Sequence, residues 1–184
     1  MSLTRDTFCS YCGAAYEAPF RYPRTCKGCK TTIWANPIPV SVVLVPVLAN
    51  GRTGLLVVRR GIEPGKGKLA LVGGFLEEHE TWAEGGAREI REETGVVVDA
   101  AKLTTFWFTS TAPRPSRVLL FSVAAPLDVA AVGPAVENHE TAERGLVFGP
   151  GGLDEVFAFP LHVEAARRFF AELAIDGPHA FVQA

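Results

Sequence analysis

The chain has little with which to cross a membrane, coat a nucleic acid or stand as a disulfide scaffold. Its longest apolar run, Val40 to Ala49, is broken by Pro46 and is too short to span a bilayer. Internal repeats and low-complexity tracts are missing; Pro113–Pro115 and Gly149–Gly152 read as loops. Lys and Arg number 18 against 20 Asp and Glu, a formal charge of −2 without a long basic run, which argues against a nucleic-acid partner. The opening MSLTRDTF has no apolar stretch of the kind a signal peptide needs, so a reducing cytoplasm is the expected compartment. What remains is 184 residues, 48% hydrophobic and 21% charged, the composition of a soluble globular chain with one main domain and one small accessory.

Cysteine is scarce but arranged. The four cysteines form two C-x2-C knuckles, Cys9/Cys12 and Cys26/Cys29, with 13 residues between them. That spacing fits a four-thiolate zinc ribbon. A disulfide pairing would require an oxidising compartment. A closed set of four thiolates leaves no open coordination position, so the expected role of Zn²⁺ is structural. Gly13 and Gly28 are the expected tight-turn residues of the knuckles. Basic and aromatic residues lie close by, among them Arg21, Arg24, Tyr16, Phe20, Tyr22 and Trp34. Such a patch can stack on bases, but in so small a segment aromatics more often form a miniature core.

Carboxylates are concentrated in one stretch, GFLEEHETWAEGGAREIREETGV, residues 74 to 96. At about 100° per residue Ala83, Ala87 and Ile90 make one apolar stripe of a helix. Glu89 and Glu93 fall one turn apart on the other side, with Glu92 beside them. Like charges at that spacing repel, and a hard cation such as Mg²⁺ or Mn²⁺ removes the penalty while keeping sites for water and phosphate oxygens. Gly85 and Gly86, each costing about 1 kcal/mol relative to Ala in a helix, either leave room for a pyrophosphate or permit tight packing. Gly95 stands where a helix C-cap would, followed by Val96–Val98 as an expected strand. LALVGGF precedes the run, and its Gly73–Gly74 pair can expose carbonyls close to a metal.

Written as G-x5-E-x7-R-E-U-x-E-E-x-G-U, with U a bulky aliphatic, the stretch resembles the Nudix hydrolase signature at every fixed position: Gly74, Glu80, Arg88, Glu89, Ile90, Glu92, Glu93, Gly95 and Val96. The resemblance implies hydrolysis of a nucleoside diphosphate linked to another moiety X. It implies metal ligation by Glu89 and Glu93, with Glu92 third and the Gly73 carbonyl fourth, and an Arg88–Glu80 pair holding loop to helix. In many members a further loop acid activates the water, and Glu92 and Glu93 themselves count among the catalytic candidates. Among Glu137, Glu140 and Glu143, Glu143 best resembles that loop acid and Glu140 is second. A ribbon ahead of the box is similar to NADH, ADP-ribose and FAD pyrophosphatases. The sequence Phe106–Arg117, however, does not match the S-Q-P-W-P-F-P type signature of the NADH group. Candidate substrate contacts are Arg59, Phe106, Phe108, Arg114 and Arg117. The rival activities are cleavage of nucleoside triphosphates and a non-catalytic nucleotide- or RNA-binding role, and a homodimer is one candidate assembly.

Elsewhere Val40–Leu48 and Leu55–Arg60 read as strands across an Asn50–Gly51 turn, with Leu69–Val72, Thr104–Thr109 and Val118–Val123 as further strands. Residues 161 to 174 have helical spacing. The expected architecture is α/β, a Nudix α/β/α sandwich with a mixed sheet over 36–184, preceded by a zinc ribbon over 1–35.

Overall fold

A computed structural model describes residues 7–112, 116–136 and 138–184, and the chain divides into two compact units, Met1–Pro37 and Ile38–Ala184. In the first unit β1 (Arg24–Thr25) pairs antiparallel with β2 (Thr32–Ile33). Each knuckle closes through the same turn: the Cys9 carbonyl accepts from Gly13 N at 2.9 Å and the Cys26 carbonyl from Lys30 N at 3.0 Å. The left-handed residues are accordingly Gly13 (φ 73°) and Lys30 (φ 65°). Gly28 was expected to turn the second knuckle, but the turn's geometry places that conformation at the fourth residue after the first cysteine. The Arg24 guanidinium lies 4.0 Å from the ring centre of Tyr22, 4.8 Å from Tyr16 and 5.8 Å from Phe20, so these aromatics gather around a cation within the unit.

The second unit is built on β3 (Ile38–Leu44), β4 (Pro46–Ala49), β5 (Arg52–Arg60), β6 (Leu69–Phe75), α1 (Trp82–Thr94), β7 (Thr104–Ser110), β8 (Arg117–Val123), β9 (Leu127–Asp128), β10 (Thr141–Phe148), α2 (Leu153–Val156), α3 (Pro160–Glu172) and β11 (Ala180–Gln183). Among the described residues the strands form a mixed sheet in the order β11-β10-β5-β6-β3-β8-β7, with β4 on β5 and β9 on β4. Among the described residues β3–β8 and β4–β9 are the only parallel pairs of strands. Alternating side chains sort the core into two layers. Val42, Val57, Leu71 and Val147 pack with Val163, Ala166 and Phe170 of α3. Their neighbours Val43, Leu56, Ala70 and Leu146 pack with Ile90 of α1. The result is the expected α/β/α sandwich.

Two details of the sheet position the site. The stretch expected as one strand over Val40–Leu48 is divided at Val45, where β3 gives way to β4 and the Val45 carbonyl accepts from Leu56 N at 2.9 Å. β6 also changes partner: Leu69–Leu71 pair with β5, and Val72–Phe75 pair with β3. The sheet therefore splits beside Gly73. The Asn50–Gly51 turn carries positive φ at both residues, 50° and 73°, as a two-residue hairpin requires. Among the described residues Val96–Val98 pairs with no strand. Val96 is buried against α1 while Val97 is 77% exposed, so the first valine fills the core beneath the helix end and the run builds no ladder.

Candidate active site

The acidic helix is held at both ends by local chemistry. Thr81 and Glu84 form a capping box: Thr81 Oγ1 accepts from Glu84 N, and the Glu84 carboxylate accepts from Thr81 N at 2.9 Å. Gly95 closes α1 in the left-handed conformation, φ 76°. Its glycine pair is explained by packing. A Cβ on Gly86 would come within 2.9 Å of Ser41 Oγ and Val43, and one on Gly85 would collide with Leu76. This close approach seats α1 on β3, where Ser41 Oγ donates to the Trp82 carbonyl at 2.9 Å.

The Gly73–Gly74 pair is required by what lies against it. Gly73 has φ 154°, and a Cβ there would overlap the Ser41 carbonyl and the Val42 backbone. A Cβ on Gly74 would occupy the place of the Glu89 carboxylate. Glu93 accepts from Gly73 N at 3.2 Å and is 8% exposed. Arg88 forks onto Glu80 at 2.6 and 3.0 Å and also donates to Glu89 at 2.8 Å, Glu92 at 3.0 Å and the Phe75 carbonyl at 3.0 Å. That ion pairing holds the Glu80 carboxyl down to about 2. Among the described residues Glu93 has no such ion pair. Burial pushes its pKa up to about 8, the Gly73 N–H offsets part of this, and Glu89 and Glu140 raise it further. Glu89 is also raised, chiefly by burial. An anion at Glu93 costs on the order of 5 kcal/mol in the protein alone. Glu89 and Glu93, set against the Gly73–Gly74 backbone, offer oxygen ligands of the kind a hard divalent cation takes, whereas the four cysteines are the only group of three or more ligand atoms that the described residues bring together.

Other sequence candidates fall at varying distances from this cluster. Glu140 acts electrostatically on both Glu89 and Glu93. Glu143 instead accepts from Arg59 Nε at 2.5 Å; Arg59 also donates to the Gly67 carbonyl at 3.0 Å and lies 5.0 Å from the Phe181 ring centre. Arg117 stacks 5.6 Å from the ring of Phe75, next to Gly74. Phe108, 75% exposed, shares a row with Leu120, Ser41 and Gly74 across β7, β8, β3 and β6. Three strand spacings put it about 14 Å from Gly74. Phe106 is the extra residue of a β7 bulge between Thr105 and Trp107. Arg114 and Glu137 lie outside the described residues.

Sequence reasoning gives Asn138 and Arg144 no role and leaves Arg60, like Arg59, open as a phosphate or ribose contact. Arg60 is stacked 5.1 Å from the Phe159 ring centre and pinned through Nε to the Pro64 carbonyl at 2.7 Å, and its charge reaches Glu93. Asn138 donates to the Glu92 carbonyl at 2.8 Å. Arg144, 3% exposed, donates to carbonyls of Thr94 at the end of α1, of Gly133 at 2.7 Å and of Ala184 at 3.1 Å. Only the arginine pair at 59–60 carried a local signal, because the other contacts join segments 46 and 50 residues apart.

In the first unit the four cysteine sulfurs lie within 4.8 Å of one another, with Cys9–Cys29 at 3.7 Å and Cys12–Cys26 at 3.6 Å. A tetrahedron of thiolates about 2.3 Å from Zn²⁺ has edges of about 3.8 Å, so the arrangement fits that ion.

A mixed-sheet sandwich with an acidic, capped helix seated beside a glycine pair defines the class. The NUDIX domain family matches residues 38–173, and the chain belongs to the Nudix family. An ADP-ribose pyrophosphatase of Methanocaldococcus jannaschii is 39% identical over 102 residues, which are 55% of this chain and 58% of that protein; the match thus spans less than two thirds of the relative. A NUDIX hydrolase from Nitrosomonas europaea superposes with a TM-score of 0.62 over 94% of this chain and 96% of that one, at 22% identity. The NUDIX domain of Shewanella oneidensis NrtR, complexed with ADP ribose, superposes with a TM-score of 0.59 over 76% and 90%, at 17% identity. At these identities the two structures speak for the fold alone. Among the described residues no helix is long and apolar enough to cross a membrane.

Proposed function

We propose that the protein is a divalent-metal-dependent pyrophosphohydrolase acting on a nucleoside diphosphate linked to X, with an ADP-linked compound such as ADP-ribose, NADH or FAD as substrate. The observation that carries this reading is the buried Glu93, accepting from Gly73 N, with the Glu89 carboxylate packed against Gly74 one helical turn away. The 39%-identical relative named for ADP-ribose supports the substrate class. Glu89 and Glu93 would hold Mg²⁺ or Mn²⁺, with Glu92 third and the Gly73 carbonyl fourth. When bound, the cation would shield the diphosphate and lower the pKa of water at the site.

The chain's own residues then divide the work. Arg88 keeps Glu80, Glu89 and Glu92 in one network, fixing the loop before α1. Arg60 presents a stacked guanidinium toward the acidic edge, suited to a phosphate oxygen. Glu140 is assigned to take the proton of the attacking water, because Glu143 is engaged by Arg59. The four thiols would hold a structural Zn²⁺, an arrangement that suits a reducing cytoplasm.

The test is product chromatography on ADP-ribose, NADH, NAD⁺, FAD, a dinucleoside polyphosphate and the nucleoside triphosphates, with Mg²⁺ or Mn²⁺, for wild type and Glu93→Gln. Metal-dependent AMP release from an ADP-linked compound, lost in the variant, is the expected result. Preference for triphosphates would replace the substrate class, and silence across the panel in both proteins would replace the activity with a binding role.

A further inference from the structure

Glu140 and the carboxylates of α1 belong to segments far apart in sequence, and their relative placement decides whether four acids converge on one point. Among the described residues, one side chain supplies the hydrogen bonds that tie the 138–140 segment to the last turn of α1. Asn138 Nδ2 donates to the Glu92 carbonyl at 2.8 Å, and Asn138 Oδ1 accepts from Glu140 N at 2.8 Å. The partners fix the amide's orientation: a carbonyl can face only the NH₂, and a backbone N–H only the oxygen. The Glu92 carbonyl belongs to the last turn of the helix, whose carbonyls have no partner within it. Asn138 thus satisfies that carbonyl and the Glu140 N–H with one planar group.

The same stretch of chain grips the helix a second time. Arg144 donates to the Thr94 carbonyl through Nη1 and to the Gly133 carbonyl at 2.7 Å through Nη2. Its charge is buried among carbonyls, at the end of α1 where a cation is favoured. Two side chains from 138–144 therefore hold the carbonyls of Glu92 and Thr94, on either side of Glu93.

We infer that Asn138 is a positioning residue, which sets Glu140 at a fixed separation from Glu89 and Glu93 so that the loop acid and the helix acids serve one cation and one water. The inference rests on the metal-site reading above. It implies that the Asn138 amide acts through placement alone, touching neither substrate nor metal.

The test uses the full, zinc-loaded chain and Mn²⁺ as the probe. Free Mn²⁺ is measured by electron paramagnetic resonance for wild type, Asn138→Ala and Glu93→Gln, at a temperature where circular dichroism shows all three folded. Asn138→Ala should bind Mn²⁺ about tenfold more weakly than wild type, the scale expected when a support of a metal-ligating group is removed. At saturating Mn²⁺ its kcat should fall while KM changes little, a split that general loosening of the fold would not produce. Wild-type Mn²⁺ affinity in Asn138→Ala, or a change confined to its thermal midpoint, overturns the role of Asn138 and leaves the metal site standing. Equal Mn²⁺ binding by wild type and Glu93→Gln overturns the metal-site reading and this inference with it.

Discussion

The two units of the chain keep their polar clusters for opposite reasons. Between Thr7 and Pro37 only Cys9 and Cys26 are buried, so the small unit has almost no apolar interior, and a metal there would stand in place of a core. Between Ile38 and Ala184 two apolar layers form the core, and the helix that closes one of them also carries the buried Glu93, at a local loss of stability. A site that makes a fold uses groups with no open position. A site that makes chemistry uses groups whose charge the fold leaves unbalanced.

The widest separation between the units should come from removing one ligand from each. Cys26→Ser should reduce bound zinc from one equivalent to none and unfold the first unit, since zinc in such sites contributes on the order of 10 kcal/mol to folding. The second unit should keep its cooperative transition, because its core shares no residue with the first. Full zinc content by atomic absorption would refute the four-cysteine site. Glu93→Gln should do the reverse: a rate loss of roughly 10³ or more at saturating metal, with an intact fold. In metal-free protein the amide should also raise the thermal midpoint. Near neutral pH the unfolded chain keeps Glu93 ionised, whereas the folded chain must bury it protonated, so exchanging the carboxylate removes that cost. A lower midpoint would mean that Glu93 is satisfied in the metal-free fold, against the comparison drawn here.

Within the second unit the same contrast can be drawn between two glutamates three residues apart. Glu140→Gln should reduce kcat by about 10² or more, the usual scale for a positioned acid–base group. Glu143→Gln, which removes only the partner of Arg59, should cost less than tenfold in kcat and up to about 1 kcal/mol of stability. Paired pre-steady-state and denaturation measurements decide it, and the opposite order would make Glu143 the loop acid.

This pair also marks where sequence legibility ended. The knuckles and the box are readable because their chemistry is local: each set of candidate ligands lies within one short stretch of chain, and capping at Gly95 follows from one residue. The choice between Glu140 and Glu143 was not local. It depends on a register shift between Thr141 and Glu143 against β5, which carries Glu143 to Arg59. The partner change of β6 and the grips of Asn138 and Arg144 likewise arise only when distant strands meet. The capping box is local as well, since Thr81-x-x-Glu84 stands directly before the apolar stripe. Val96–Val98 has the composition of a strand, yet among the described residues the run has no neighbour to pair with.

The smallest effect tests how the second unit tolerates so many charges. Glu80, well paired by Arg88, is the counterpart of the unpaired Glu93, and the two should respond to pH with opposite sign. The Glu80 carboxyl is depressed to about 2, first through its hydrogen bonds to Arg88. Its contribution is therefore complete above the ordinary carboxylate range near 4.5 and fades as pH falls through about 2. Denaturation of wild type and Glu80→Gln should differ at pH 7, with wild type the more stable, and converge in strong acid. The difference should be modest, because removing Glu80 leaves Arg88 still bound to Glu89, Glu92 and the Phe75 carbonyl. A gap that persisted unchanged in acid would show that Glu80 supports the loop by packing against Gly85 and not through its charge.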